Sequence, residues 1–224
     1  MVSAQSPEGE KSPVWLNVAS STYVEKGFIN LDNHIFLQLS RFPKLATALL
    51  PREYHDYLES YRQAREKAVL LRHDCRKPLK MADNSADHIL CSHFLEHVYP
   101  DEAQNILRDF RRVLKPGGTL HVIIPDLRLQ VDEYLRNKEQ GQPAAADQFV
   151  LETLLTAPNR GSAKFRIMEL TGGFGLLHRW MYDKESITAQ VAKAGFDVQD
   201  GLETPSAHVR HNDGCSVHVL ARKV

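Results

Sequence analysis

The sequence is poor in cysteine, has no long apolar run and carries no excess of charge of either sign. Its three cysteines are widely and unequally spaced, which excludes a disulfide framework and a paired-cysteine zinc site. No apolar stretch approaches the roughly 18–20 residues that a membrane helix needs. Lys and Arg total 28, as do Asp and Glu, so the chain lacks the basic character of nucleic-acid-binding proteins. We therefore expect a globular, cytoplasmic protein that neither enters a membrane nor binds nucleic acid.

The length of 224 residues suits one domain better than two. Residues 1–12 are polar, lack the apolar core of a signal peptide and are expected to form a flexible tail. Residues 13–224 are then expected to form a single domain. Within it, residues 34–67 have a helical period and are interpreted as a helical insertion or cover.

Short apolar runs of strand type alternate with amphipathic helical segments. The predicted strands are residues 14–18, 28–32, 68–71, 88–92, 119–125, 196–198 and 216–220, and the strand at 68–71 is expected to be buried. The predicted helices are residues 51–68, 101–114, 127–138, 147–156 and 184–194, the last capped by Asp183. This alternation favours an α/β fold with a mostly parallel sheet covered on both faces, and the last two strands suit an antiparallel hairpin.

Four sequence motifs occur in order between His73 and Gly118. They are HDCRKPL (residues 73–79), DNSAD (83–87), SHFLEHV (92–98) and RVLKPGG (112–118). Together they resemble the small class I S-adenosylmethionine-dependent methyltransferases, the bacterial methyltransferase-domain proteins. The segments LNVASS (16–21), GFINLD (27–32) and HRWMYD (178–183) are also similar to that family, so the resemblance spans about residues 14–222.

The resemblance implies a Rossmann-like sheet of about seven strands with helices on both faces. It also implies methyl transfer from S-adenosylmethionine to a small-molecule or glycan-type acceptor. In an open α/β sheet the ligand binds beyond the carboxyl ends of the strands, where several of the matching residues fall.

The resemblance assigns cofactor roles to residues at three strand ends. Asp32, after the second strand, would bind the ribose hydroxyls; the alternative is a solvated loop acid. Asp74 would receive the adenine amino group, with Cys75 packed on the ring; the alternative is a turn-forming aspartate. Ser92 would border the methionine end of the cofactor. His93 would act as the base if the acceptor is a hydroxyl, or would only position the acceptor.

An acceptor-side insertion is expected over residues 139–182. Its end carries His178, Arg179, Trp180 and Tyr182, which would line the acceptor pocket or form a partly buried aromatic cluster. The GGFG stretch at residues 172–175 follows no clean strand and opens no capped helix, so a flexible loop is favoured over a phosphate loop.

The chain departs from the family where a glycine loop should follow the first strand. Ala19, Ser20 and Ser21 stand there, at the expected cofactor-binding positions, and each adds a β-carbon where glycine permits close approach and positive φ. Residues 19–27 are also too few for a full crossover helix, so we expect a reduced or absent first helix. The degenerate loop supports an alternative function, a non-catalytic methyltransferase-fold module that binds a partner.

The stretch from His93 to His97 spells HxxEH, a zinc motif of some metallopeptidases. The motif needs a helix to bring its histidines together, whereas here it follows a strand directly and Pro100 leaves barely one turn. A metallopeptidase is therefore a remote alternative, and the sequence predicts no metal site.

Overall fold

The computed structural model describes residues 12–157, 177–211 and 213–224. Nearly all of the predicted tail lies outside these ranges, as do residues 172–175 and part of the predicted 139–182 insertion. None of the helices within the described ranges is long and apolar enough to cross a membrane.

The described residues form a seven-stranded sheet. Its strands are Trp15–Val18 (β1), Phe28–Asp32 (β2), Leu70–Arg72 (β3), Ala86–Ser92 (β4), Leu114–Pro125 (β5), Phe196–Val198 (β6) and Ser216–Lys223 (β7). Their order across the sheet is β3-β2-β1-β4-β5-β7-β6. β7 is antiparallel to both neighbours, whereas the pairs among β1 to β5 are parallel. This topology confirms the predicted mostly parallel sheet with an antiparallel hairpin at its end.

Helices surround the sheet. The α-helices of the described ranges are Ile35–Leu39 (α1), Pro43–Leu49 (α2), His55–Lys67 (α3), Pro100–Val113 (α4), Leu127–Glu139 (α5), Ala145–Glu152 (α6) and Lys184–Lys193 (α7). Short 3-10 helices cover Arg52–Tyr54 and Leu95–His97. Asp183 caps α7 as predicted, because its carboxylate accepts a hydrogen bond from the Ser186 amide at 2.8 Å.

Several predicted boundaries are wrong. A buried strand was expected over residues 68–71, but β3 is a short edge strand in which Leu71 is 49% exposed. An edge strand has a neighbour on one side only, so its apolar side chains are not enclosed. The helix predicted from residue 51 begins at His55, after a 3-10 turn. β5 begins at Leu114 because that residue pairs with Ala86.

One face of the sheet is apolar and forms the main core. Side chains alternate along a strand, so every second residue of β1, β4 and β5 points to this face. Leu16, Ile89 and Leu120 are completely buried there. The apolar stripes of α4 and α7 cover them, with Leu107 and Val191 among the buried contacts. Each fully buried aliphatic side chain of this kind contributes about 1.5–3 kcal/mol to folding.

The opposite face of the sheet is polar near its centre. Residues 19–27 form turns and no helix, as the short connection predicted. Asn17 and Asn30 are buried on this face, where the Asn17 amide donates to Asn30 Oδ1 at 2.8 Å. The Asn30 side chain also hydrogen-bonds to the main chain of Glu25 and Val69, which lie in the segments before β2 and β3. Buried amides therefore replace a packed helix at this position.

A chain of three histidines, of which His88 and His121 are buried, extends the polar face into β4, β5 and β7. His88 Nε2 and His121 Nδ1 each lie 2.8 Å from the Ser206 hydroxyl, and His121 Nε2 lies 3.0 Å from His218 Nδ1. The Thr119 hydroxyl lies 2.7 Å from His88 Nδ1. Burial lowers the pKa of His88 to about 4 and that of His121 to about 3, so both rings are neutral at pH 7.

We expect the free energy of unfolding to fall as the pH drops from about 6.5 toward 4. A histidine whose pKa is lowered in the folded state protonates first in the unfolded chain, so its contribution is present above pH 6.5 and lost below. His88 and His121 should each add a slope of about 1.4 kcal/mol per pH unit. Urea unfolding at closely spaced pH values measures this slope.

Between pH 6.5 and 5 the pH dependence of the free energy of unfolding comes from histidines, because carboxylates with a lowered pKa are still ionised there. His88→Gln should lower the slope by about 1.4 kcal/mol per pH unit, because one histidine fewer takes up a proton on unfolding. A free energy of unfolding that stays level from pH 7 to pH 5 would contradict the neutral network.

Candidate active site

The loop after β1 keeps the backbone shape of a glycine loop. Ala19 and Ser21 have φ values of 55° and 49°, in the left-handed region that favours glycine. The buried Ser20 lies between them, and its amide donates to the Leu31 carbonyl at 2.9 Å. The β-carbons of Ala19 and Ser21 are therefore accommodated in a left-handed backbone, at a cost in backbone strain.

The Asp32 carboxylate is the centre of hydrogen bonding at the end of β2. Its Oδ2 accepts from the Ser21 amide at 3.0 Å, and its Oδ1 accepts from the His34 amide at 2.7 Å. The Tyr61 hydroxyl of α3 donates to Oδ1 at 3.1 Å. Burial and the nearby carboxylate raise the pKa of Tyr61, so this hydroxyl stays protonated. Asp32 thus joins the loop after β1 to the helices that follow β2.

Asp74 and Cys75 lie in the turn after β3. The Arg76 guanidinium binds Asp74 through Nε at 2.9 Å and Nη2 at 3.0 Å, and this pair lowers the pKa of the carboxyl. Cys75 belongs to the main core, where burial raises the pKa of its thiol to about 12. Its sulfur lies 3.9 Å from the Leu31 carbonyl oxygen. The thiol is therefore a neutral packing group next to β2.

A cavity of about 400 Å³ opens at the ends of β1 and β4. Four predicted site residues line it, namely Ala19, Ser20, Ser92 and His93. The predicted residues Ser21, Asp32, Asp74 and Cys75 do not line it. Sequence reasoning missed the opposite wall, formed by residues 208–210 between β6 and β7. That wall had no sequence signal, because the segment contacts β1 and β4 only in the folded chain.

His93 is held between two other side chains. It has a φ of 51° directly after β4, and its amide donates to the Ile123 carbonyl at 2.8 Å. Its Nδ1 lies 3.3 Å from Glu96 Oε1, and its Nε2 lies 3.2 Å from the Ser216 hydroxyl. Glu96 is 1% exposed, and its carboxylate faces one edge of the ring without a hydrogen bond to it. A histidine with a carboxylate beside it suits a general base, because the carboxylate stabilises the protonated ring.

None of the four predicted acceptor-side residues lines the cavity. The amides of Arg179 and Trp180 donate to the Glu96 carbonyl at 2.7 and 3.1 Å, which holds their segment against the turn after β4. Trp180 is 48% exposed, whereas Tyr182 is 1% exposed and belongs to the main core. Burial and the nearby Glu96 raise the pKa of Tyr182 to about 12. His178 is buried beside the His97 ring.

A model of the methyltransferase-domain family matches residues 47–122. This segment is roughly a third of the chain and runs from α2 into β5. It contains Asp74, Cys75, Ser92 and His93, and it excludes the loop after β1 and Asp32. No curated protein matches the sequence.

Solved structures of methyltransferases share the fold along almost the whole chain. One from Methanosarcina mazei, described as an S-adenosylmethionine-dependent methyltransferase, has a TM-score of 0.52 at 16% identity over 96% of this chain and 94% of its own. A possible histamine N-methyltransferase from Thermotoga maritima has a TM-score of 0.50 at 19% identity over 97% and 83%. An O-methyltransferase family 2 protein from Planctomyces limnophilus, complexed with apigenin, scores 0.50 at 17% identity over 97% and 52%.

These similarities and the strand order together identify the fold of the chain. The chain has the Rossmann-like fold of the class I S-adenosylmethionine-dependent methyltransferases, and the resemblance drawn from its motifs is confirmed.

We expect Ser21→Gly to stabilise the fold by about 0.5–1 kcal/mol. The left-handed conformation costs a non-glycine residue about 1–2 kcal/mol, which exceeds the roughly 0.4–1 kcal/mol lost by loosening the unfolded chain. Chemical denaturation measures the difference. The matched control is Ser60→Gly in α3, where the same change should destabilise by about 0.5 kcal/mol. Equal destabilisation by both substitutions would show that Ser21 is not strained.

Proposed function

We propose that this protein transfers a methyl group from S-adenosylmethionine to a hydroxyl of a small-molecule or glycan-type acceptor. The observation that carries the proposal is the left-handed loop after β1, which is hydrogen-bonded to Asp32 and borders the cavity. A glycine-like turn, an acid after the second strand and an opening at the strand ends are the features that a nucleoside cofactor needs in this kind of sheet.

The residues present fit such a cofactor. Asp32 accepts three hydrogen bonds, and a carboxylate has about four acceptor positions, so one remains for a ribose hydroxyl. A second position becomes available if the Tyr61 hydroxyl turns away. The cavity of about 400 Å³ has the size of a ligand site, and Ala19, Ser20 and Ser92, which we assign to the methionine end, line it, whereas Asp32 lies outside it.

Each end of the cofactor would have its own residues. We assign the ribose to Asp32 and the adenine to the turn holding Asp74 and Cys75, which lies one strand further along the same edge. The methionine end would lie against residues 19–21 and Ser92. We assign the 34–67 segment the role of cover, since Tyr61 already lies over Asp32.

S-adenosylmethionine supplies an activated methyl group on a sulfonium, so the protein must align the acceptor and exclude water. The His93 Nε2 would accept the proton that the acceptor hydroxyl loses, and the Glu96 carboxylate, 3.3 Å from Nδ1, would stabilise the positive charge that forms on the ring. The Ser216 hydroxyl, which lies 3.2 Å from Nε2 and donates to Asp213 at 2.7 Å, borders the position that the acceptor would take. Arg179 and Trp180, whose amides donate to the Glu96 carbonyl, would lie at the border of the acceptor side.

Binding of S-adenosylhomocysteine tests the proposal directly. At 100 times its dissociation constant this product should stabilise the fold by about 2.7 kcal/mol in thermal unfolding. Asp32→Asn should weaken the affinity roughly 10- to 100-fold, because a hydrogen bond to a charged group contributes about 1.5–3 kcal/mol. Calorimetric titration of the folded variants measures both effects.

Two control variants separate the cofactor from the fold. Asp197→Asn changes an exposed aspartate on β6 and should leave the affinity unchanged. Tyr61→Phe removes the hydroxyl on Asp32 but keeps the carboxylate, so affinity should be maintained or improved. An affinity that is the same in Asp32→Asn and in the parent would remove Asp32 from the ribose site.

His93→Gln should leave the affinity for S-adenosylhomocysteine within a few-fold, yet lower methyl transfer roughly 100-fold or more. The assay follows radiolabelled methyl transfer from S-adenosylmethionine to a panel of sugars and phenols. A matching substitution at His73, also on a loop after a strand, should not change the rate. If His93→Gln transfers methyl as fast as the parent, His93 only positions the acceptor.

A second candidate is a non-catalytic module with the methyltransferase fold. It is favoured because the two carboxylates assigned to cofactor binding already have partners within the protein. Asp32 accepts a hydrogen bond from Tyr61, and Asp74 accepts two from Arg76. Failure of S-adenosylhomocysteine to bind either the parent or Tyr61→Phe would select this candidate.

A further inference from the structure

Glu96, His97 and His178 meet beside the turn after β4. Each offers a ligand atom, and the three atoms lie within 4.8 Å of one another. Glu96 and His97 belong to the 3-10 helix Leu95–His97, whereas His178 comes from the segment before α7. The two histidine rings are 5.0 Å apart, edge to face. One carboxylate and two imidazoles from different parts of the chain therefore converge at one point.

The Glu96 carboxylate is buried without a hydrogen-bond partner among the described residues. The residue is 1% exposed, and neither oxygen accepts a hydrogen bond from the part of the chain that the structure describes. His93 Nδ1 lies 3.3 Å from Oε1, and the buried Tyr182 hydroxyl also has no hydrogen-bond partner among the described residues. An ionised carboxylate buried without hydrogen bonds is strongly unfavourable unless a cation compensates it.

Main-chain groups near residue 178 contact both Glu96 and His97. His97 Nδ1 lies 3.0 Å from the Leu177 carbonyl oxygen, which leaves the Nε2 of the same ring for another partner. Metal-binding histidines typically donate their second nitrogen to a carbonyl or carboxylate in this way. The amides of Arg179 and Trp180 donate to the Glu96 carbonyl, so main-chain hydrogen bonds join the His178 segment to the 3-10 helix.

We propose that Glu96, His97 and His178 bind a divalent transition-metal ion, for which Zn²⁺ is the suitable probe. Two imidazoles and a carboxylate suit Zn²⁺, and three protein ligands leave a fourth position for water or an oxygen of another molecule. The site differs from the HxxEH motif, since His93 is not one of the three ligands and His178 was not part of the motif. It revises the sequence prediction that this region holds no metal. Glu96 also contacts His93, so the ion would lie next to a residue that lines the cavity.

The test uses the full chain, stripped with a chelator and titrated with Zn²⁺ against a chromophoric competitor. We expect one Zn²⁺ per chain and a rise in melting temperature on binding. Glu96→Gln, His97→Gln and His178→Gln should each weaken Zn²⁺ binding by more than about 100-fold, since each removes a direct ligand and even outer contacts affect affinity 10- to 100-fold. His73→Gln, outside the cluster, should retain full affinity.

Two further measurements keep the result independent of folding and of methyl transfer. Circular dichroism of the metal-free variants establishes that they are folded, and Co²⁺ substitution should give visible d–d bands that are lost in His178→Gln. His93→Gln should still bind Zn²⁺ if the three ligands suffice. Loss of binding in His93→Gln together with full binding in His178→Gln would overturn the proposed ligand set. Absence of stoichiometric binding to the stripped parent chain would overturn the site itself.

Discussion

The nine residues between β1 and β2 are too few to form the crossover helix that usually covers one face of a parallel sheet. Much of the rest of the structure depends on this constraint. On that face the central strands present the buried polar side chains Asn17, His88 and His121 next to a small apolar cluster of Phe28, Leu90 and Ile123. Ser206, from the segment between β6 and β7, closes the polar face by bridging the two histidines.

The same short connection leaves the cavity at the ends of β1 and β4. Its walls come from the loop after β1, the end of β4 and residues 208–210. Asp32 lies behind that loop and holds it through the Ser21 amide, so the backbone at Ser21 stays left-handed without glycine. The loop therefore combines a left-handed backbone at Ala19 and Ser21 with side chains other than glycine, and the proposed cofactor site depends on this combination.

The sequence predicted most of the sheet, because hydrophobic periodicity and the turn residues that bound each strand or helix are local properties. Asp183 identified the start of α7, and the apolar stripe of residues 101–114 identified α4. The burial of β3 was predicted wrongly, since a short apolar run does not reveal whether its strand lies at an edge. The resemblance to a family implied about seven strands in a Rossmann-like sheet, whereas the order of the strands was not predicted because no local pattern encodes it.

Parts of the candidate site were beyond sequence reasoning for a physical reason. Tyr61 reaches Asp32 across 29 residues, and Ser206 reaches His88 across 118. His97 contacts the His178 ring and the Leu177 carbonyl, and 80 residues separate His97 from Leu177 in the sequence. Each residue looks ordinary in its own segment, and only the packing of distant segments gives it a role. The positions of Asp32, Ser92 and His93 at strand ends were predictable, because short apolar runs identify the strands that precede them.

The most direct test of the account is an amide NMR titration of the full chain with S-adenosylhomocysteine. Because the Ser21 and His34 amides both donate to Asp32, their resonances should shift together and saturate with the ligand. The amides of β6, at the opposite edge of the sheet, should stay unchanged. Saturating shifts at Ser21 and His34 are the predicted result. Spectra in which both amides remain unperturbed at saturating ligand would contradict a cofactor site at the end of β2.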